Sequence, residues 1–563
     1  MAYDLKITGG SIIDGSGKPR YLGDVGVSGG TVVALGAVPG EARETIDAKG
    51  RVVAPGFVDI HTHYDAQVLW DRMLTISPWH GVTTVVMGNC GFGVAPTRPS
   101  HRDLIVRTLE KVEGMSVAAL EAGMGADWGF ETFPQYLDAI EKRGTAINVG
   151  AMIGHTPLRL YVMGEDATER AATPEEIARM RTIVRDALEA GAVGFATSKS
   201  ATHVGYKGKP VPSRAAEFEE IRALAGALGE TGKGVMQATI GKGLLFDEFA
   251  LLSRENNTNL SWTALLAGRL RRGIGHEEQL ARSLELRRQG YNVFPQVTPR
   301  PLNFEYQLKE PFIFESMSLF RAISEADAAG KKQIYGDAGF RRAFRQKMDE
   351  APDDIVKGFR HTIIAECAAD PALEERSLIE AAEERGVHPI DLLLDLGLAT
   401  ELEARFRMPV ANHDEEQVAE LLLNPEMVLG LSDAGAHASQ LCDACQGTYL
   451  LARWVREKRA LSLEEAIRML TSRPAEVFGI ADRGRLAEGW PADIVVFDAD
   501  TVGASPLRRV WDMPGGANRL VADASGIEAV IVNGTVVRRG GEDALDAGAG
   551  ALPGRLLRNG RAR

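Results

Sequence analysis

The run Pro55-Gly56-Phe57-Val58-Asp59-Ile60-His61-Thr62-His63 carries an apolar strand into two histidines spaced i, i+2. Side chains two apart on a strand leave it on the same side, so both imidazoles can reach one divalent ion. A second run, Gly430-Leu431-Ser432-Asp433-Ala434-Gly435-Ala436-His437, ends another apolar stretch with a carboxylate. Asp433 there can bind such an ion and take a proton from a water that the ion has acidified. His437 is either a partner to the ligands or a structural residue. In a third run, Met87-Gly88-Asn89-Cys90-Gly91-Phe92-Gly93, small residues let the backbone approach a ligand, and a thiolate at Cys90 can bind a soft divalent ion.

The elements that must position these groups are short apolar strands alternating with helical stretches such as 173–190, the pattern of βαβ units on a parallel sheet. Strand candidates fall at 52–60, 82–87, 146–153, 192–197, 234–238, 258–262, 292–297 and 428–431. Eight is the number that closes a barrel, and the polar residues at the strand ends favour that closure over an open doubly wound sheet. The expected fold is therefore α/β, a (β/α)8 TIM-like barrel.

Both ends of the chain differ from its middle. Residues 1–55 and 485–540 alternate short β-like runs with Gly and Asn-Gly turns, as in Val530-Ile531-Val532-Asn533-Gly534. They are expected to form a small composite β-sandwich around a barrel at 56–484. The interval 300–425 is too long for one crossover and is expected to be an insertion above the barrel mouth, able to cover substrate. The tail at 541–563 is expected to be loosely held.

Composition limits the partners. A net charge of -13 over 563 residues argues against a nucleic-acid or anionic-membrane surface. There is no apolar run long enough to span a bilayer and no signal-peptide core at the start, so the expectation is a cytoplasmic enzyme acting on a small molecule, with a homo-oligomer compatible. Four cysteines are too few for a disulfide framework, and Cys442 and Cys445, a lone C-x-x-C, are expected to be incidental thiols.

The three runs, with Thr471-Ser472-Arg473-Pro474-Ala475, Asp482-Arg483-Gly484 and Ala492-Asp493-Ile494-Val495-Val496-Phe497-Asp498, resemble the amidohydrolase superfamily. Within it, the His-Thr-His-x-Asp opening, the Gly-Asn-Cys-Gly turn and Gly154-His155 look most like the N-acyl-D-amino-acid deacylases. The resemblance implies a barrel, a β-sandwich assembled from both termini, and zinc-dependent hydrolysis of an amide bond. It maps His61, His63 and Cys90 onto metal positions, and Asp433 onto the catalytic aspartate, itself a metal ligand.

The departures from that pattern are specific. Family members carry metal-binding histidines after strands five and six, where this chain reads Val235-Met236-Gln237-Ala238-Thr239 and Asn259-Leu260-Ser261-Trp262-Thr263. The expected cofactor is Zn2+ or another divalent metal, as one ion or two. Gln237 and Trp262 stand in the altered wall as metal or substrate contacts. Lys199, if carboxylated, or His203 could compensate as ligands, and His155 is a further candidate expected to be mainly structural. The cations that would hold a substrate carboxylate are missing from both Trp262-Thr263-Ala264-Leu265 and Gln440-Leu441-Cys442-Asp443-Ala444-Cys445. Unless Arg300 or Lys199 substitutes, an apolar wall including Trp262 would favour amides without a free carboxylate. Lyase or decarboxylase chemistry on the same scaffold and a non-catalytic binding paralogue are the alternatives.

Overall fold

The computed structural model describes residues 2–205, 208–268, 274–315, 317–350, 354–546, 548 and 550–562. Eight parallel strands form one curled sheet in chain order: β1 (Phe57–Asp59), β2 (Val82–Met87), β3 (Asn148–Gly154), β4 (Gly194–Ser198), β5 (Val235–Thr239), β6 (Leu260–Thr263), β7 (Val293–Val297) and β8 (Val428–Leu429). The ends of β1 and β8 meet through a parallel bridge between Thr62 and Ala434. There the His63 N–H donates to the Ala434 carbonyl at 2.7 Å and the Asp433 N–H to the His61 carbonyl at 3.1 Å. The closure makes a (β/α)8 barrel, and it is made by the residues that carry the candidate chemistry. Most barrel strands are buried along their whole length, as parallel strands covered by helices must be.

Three helices bear on the site: α1 (Arg102–Glu113), α2 (Phe218–Thr231) and α3 (Phe246–Asn256). The first ends at Gly114, a left-handed residue that stops the helix directly after Glu113.

The first strand candidate divides in two. Val52–Pro55 pairs antiparallel with Ile494–Phe497, while Phe57–Asp59 pairs with β2. Gly56 is the changeover: its N–H donates to the Asp493 carbonyl, and a Cβ there would collide with Thr83. Val52–Pro55 thus joins a nine-stranded sheet built from both ends of the chain, including Tyr3–Ile12, Tyr21–Ser28 and Ile527–Val532. Its inner residues, among them Ile7, Val27, Val53, Ile494, Val496 and Ile531, pack into one apolar core. This is the β-sandwich of the two termini.

A loose tail is not what the structure shows. The Arg555 carbonyl accepts from the Val149 N–H of β3, the Asn559 N–H reaches the Gly191 carbonyl, and Arg558 pairs with Asp138 and Glu141 at 2.6 and 2.7 Å. Leu556 and Leu557 are buried, so the gain from burying apolar side chains offsets the cost of ordering the chain end.

Residues 266–276 and 300–420 form a compact unit of their own. It contains a four-stranded sheet ordered Leu302–Gln307, Arg405–Ala411, Ile363–Glu366, Arg376–Ser377, with an aromatic-rich core around Phe314, Phe320, Phe344 and Phe406. Among the described residues no helix is long and apolar enough to cross a membrane.

Candidate metal centre

The donor atoms of His61, His63 and Cys90 all lie within 4.8 Å of one another, and all three residues are buried. Asp433 joins them from β8, with Oδ1 3.2 Å from His61 Nε2 and 3.7 Å from His63 Nε2. Its side chain keeps 18% of its surface exposed, so water can reach the carboxylate while the imidazoles stay covered.

Each ring is aimed by a contact behind it. His61 Nδ1 lies 2.7 Å from Gln296 Oε1 on β7, and Gln296 Nε2 donates in turn to Ser261 Oγ on β6. This fixes the tautomer with the proton on Nδ1 and leaves Nε2 facing the Cys90 sulfur, 3.5 Å away. His63 Nδ1 lies 3.1 Å from Glu113 Oε1 at the end of α1. Asp59 Oδ1 accepts from the His61 N–H, and Ser432 Oγ donates to the His61 carbonyl.

The cysteine is aimed by its turn. Gly88, Cys90 and Gly91 all have positive φ, and a Cβ at Gly88 or Gly91 would collide with the backbone of Met152 or Ala196. Glycine is required at both, and Cys90 occupies the left-handed region at a steric cost. The turn is held because the Cys90 N–H donates to Gln237 Oε1 at 2.8 Å and Asn89 Nδ2 donates to the Thr62 and Val86 carbonyls. Asp433 at φ 46° and Gly435 at φ 92° form the matching turn after β8, with Gly435 packed against the His63 carbonyl.

The electrostatics suit a cation. Burial alone would raise the Cys90 thiol, but the His61 charge and hydrogen bond and then His63 outweigh it and bring it down to about 6. Burial also opposes the Asp433 carboxylate and is outweighed by the hydrogen bond from His63 and the two imidazole charges, leaving it at about 2. Both imidazoles are held above their usual range against burial, His61 by Cys90 and His63 chiefly by Glu113. A thiolate and carboxylates gathered around two imidazoles whose Nε2 atoms face inward fit a soft to borderline divalent ion.

The remaining sequence candidates separate from this centre. Trp262 is fully buried on the outer side of β6, stacked on Phe249 and edge-on to Phe246 of α3. Alternation along β6 turns Ser261 and Thr263 to the barrel interior and Trp262 away from it, so the indole lines no substrate wall. Lys199 Nζ donates to the Arg214 and Ala216 carbonyls, each at 2.6 Å. Both nitrogens of His155 are engaged, by Thr197 Oγ1 at 2.8 Å and by Glu220 Oε1 on α2 at 2.7 Å, with Arg159 on the other oxygen of Glu220. No lone pair is left for a metal, and His155 is structural. His203 Nδ1 lies 2.7 Å from Ser198 Oγ, and its ring packs on Phe92, which packs in turn on His63. His437 ends the Asp433 turn; burial lowers its imidazole, opposed by Glu113 and Asp433.

Two residues at the centre escaped the sequence. Gln296 left a trace, a polar side chain in the apolar run of β7. Glu113 left none, since an acidic residue at the end of an amphipathic helix usually faces solvent.

A closed parallel barrel presenting two imidazoles, a thiolate and a carboxylate at the carboxyl ends of its strands has the layout of a metal-dependent barrel hydrolase. A model of the amidohydrolase family matches residues 44–538. D-aminoacylase from Alcaligenes xylosoxydans xylosoxydans is 30% identical over 538 residues, 95% of this chain and 94% of the relative. An uncharacterised protein of Mycobacterium tuberculosis is 31% identical over 96% of this chain and 93% of its own length. The crystal structure of N-acyl-D-glutamate deacylase from Bordetella bronchiseptica, complexed with zinc and a phosphonate inhibitor, superposes with a TM-score of 0.67 at 28% identity, covering 99% of this chain and all of that one. The chain belongs to the amidohydrolase family, and the relatives it resembles along nearly its whole length include D-aminoacylase and N-acyl-D-glutamate deacylase.

Proposed function

We propose that the protein hydrolyses an amide bond at a divalent metal centre held by His61, His63 and Cys90, with Asp433 as the proton carrier. The observation that carries this reading is the convergence of the two Nε2 atoms, the Cys90 sulfur and Asp433 Oδ1 at the barrel mouth. When bound, zinc or another divalent ion supplies Lewis acidity toward the scissile carbonyl and makes water a better nucleophile. Asp433, ionised and partly open to solvent, accepts the proton that water loses as its oxygen bonds to the carbonyl carbon. The same carboxyl then donates that proton to the nitrogen as the C–N bond breaks, releasing a carboxylate and an amine. Gln296 holds the His61 ring through a hydrogen bond at Nδ1, and the Glu113 carboxylate, 3.1 Å from His63 Nδ1, favours by its charge the orientation that turns the other Nε2 inward.

The substrate we infer is an acyl amide without a free carboxylate. The stretches 262–265 and 440–445 contain no lysine or arginine, and the Lys199 ammonium is committed to two backbone carbonyls. A carboxylate buried without a cationic partner loses several kcal/mol. The support is the loss of lysine and arginine from these two stretches, not an aromatic wall, since Trp262 faces outward.

Metal analysis of protein purified without chelator, with assays on N-acetyl-D-methionine, N-acetyl-D-glutamate and aryl or long-acyl amides, tests both parts. The expected result is bound metal, activity lost to chelator and restored by zinc or manganese, and higher kcat/KM on the neutral amides. Less than about a tenth of an equivalent of metal, with no activity restored, would overturn the hydrolase reading. Preference for the acetylated D-amino acids would overturn the substrate class alone.

A further inference from the structure

Resting on the metal-hydrolase reading, we propose that the centre holds a single divalent ion, on His61, His63 and Cys90, and that Gln237 fills the side from which a second would be held and instead positions Cys90. A second ion sharing the Cys90 sulfur would need donors from the strands beyond it. Those strands present only neutral groups toward it. Gln237 pairs in register with Ser261, and Thr239 with Thr263. The Gln237 amide spans the gap: Oε1 accepts from the Cys90 N–H at 2.8 Å, and Nε2 donates to Thr263 Oγ1, which donates to Thr239 Oγ1, each at 3.1 Å. Beside them, Gln296 is shared between His61 and Ser261.

A divalent ion binds imidazole, thiolate or carboxylate far better than amides and hydroxyls already bonded to one another. To ligate one, Gln237 would have to release the Cys90 N–H, stranding a buried donor in a turn that already holds a left-handed cysteine. Among the described residues, His61, His63 and Cys90 are the one gathering of three or more His, Cys, Asp or Glu donors. The outside replacements are otherwise engaged: Lys199 Nζ meets two backbone carbonyls, His155 uses both nitrogens, and His203 Nδ1 meets Ser198 Oγ at 2.7 Å while its ring packs on Phe92. The amide network therefore does two things. It keeps the far side of the sulfur neutral, and it fixes the backbone that aims the sulfur at the two imidazoles.

The test is a titration of metal-free protein with Co2+, followed by thiolate-to-cobalt charge-transfer absorption in the near ultraviolet and by metal analysis after desalting. One break at about one equivalent, with the charge-transfer band complete at that point, is expected. Retention of about two equivalents would overturn the single-ion inference and leave the hydrolase reading standing. No retained ion would overturn the hydrolase reading itself. Gln237→Met removes both hydrogen bonds at similar volume; it should still bind one ion, about tenfold or more weakly and with a weakened charge-transfer band. Thr263→Val, which removes only the partner of the amide nitrogen, should show a smaller loss. An unchanged affinity and band in Gln237→Met would remove the positioning role, and if that variant does not fold, unchanged values in Thr263→Val would do so; the wild-type stoichiometry decides the single-ion claim in either case.

Discussion

Glu113 Oε1 sits 3.1 Å from Nδ1 of His63, although 49 intervening residues and an entire helix separate them in the chain. Only 4% of Glu113 is exposed, so its partner is this ring and not solvent. A carboxylate behind a ligating imidazole orients the ring and raises its basicity. Glu113→Gln should therefore fold normally but bind Co2+ or Zn2+ about 10- to 100-fold more weakly, measured by competition with a chelator. Wild-type affinity would mean that α1 only packs against the site.

Removing either imidazole should be more severe. His61→Ala or His63→Ala takes away one of three donors, and the expected result is loss of bound metal and of hydrolysis in both variants. Metal analysis of the purified variants checks this, and retained metal with retained turnover would move the centre elsewhere.

Asp433→Asn is isosteric and leaves the His61 carbonyl its bond from the backbone N–H of residue 433. The turn after β8 should persist. The amide cannot accept and return a proton, so kcat should fall by on the order of 100-fold or more with the far-ultraviolet spectrum unchanged. Near-normal turnover would assign proton transfer to another group.

The barrel was legible because its strands are continuous apolar runs separated by helical patterns, and seven of them lie within a residue or two of where the sequence puts them. The eighth, at 52–60, hid a change of sheet: an apolar run has no mark for the point where its neighbours change from Ile494–Phe497 to β2, save Gly56. His61, His63, Cys90 and Asp433 were readable because chemistry-bearing residues at strand ends are rare. Glu113 was not, because only tertiary packing distinguishes it from surface glutamates. Trp262 shows how a position marked by its departure from a family pattern need not touch the site: alternation along the four residues of β6 turns Ser261 and Thr263 inward and the indole outward onto Phe246 and Phe249.

Arg483 and Asp493, from two short motifs ten residues apart, form a buried ion pair at 2.6 Å. Asp493 also accepts from Asn148 Nδ2 on β3 and from the Asn533 N–H, linking barrel and terminal sheet. Burial still leaves its carboxyl above the usual range. Asp493→Ala removes one of the two carboxylates paired with the buried Arg483, leaving Asp482 Oδ1 at 3.0 Å, and takes the acceptor from the Asn533 N–H, so it should cost about 2–4 kcal/mol of stability. Chemical denaturation measures it; a loss under about 1 kcal/mol would show that water reaches Arg483 in the variant.

Trp262 separates packing from catalysis. It fills the space between β6 and α3 with Phe246 and Phe249 around it, and its indole nitrogen is buried without a hydrogen-bond partner. Trp262→Phe removes volume but no satisfied polar contact, so the expected cost is a cavity, about 1–3 kcal/mol, seen as a lower Tm. Metal content should be unchanged, because Ser261 and Thr263 on the opposite face of β6 keep their bonds to Gln296 and Gln237. The kcat/KM ratio between neutral amides and acetylated D-amino acids should also stay within about twofold, since no indole atom faces the substrate. A change in that ratio of about tenfold or more, with stability unaffected, would put the indole back in the substrate wall.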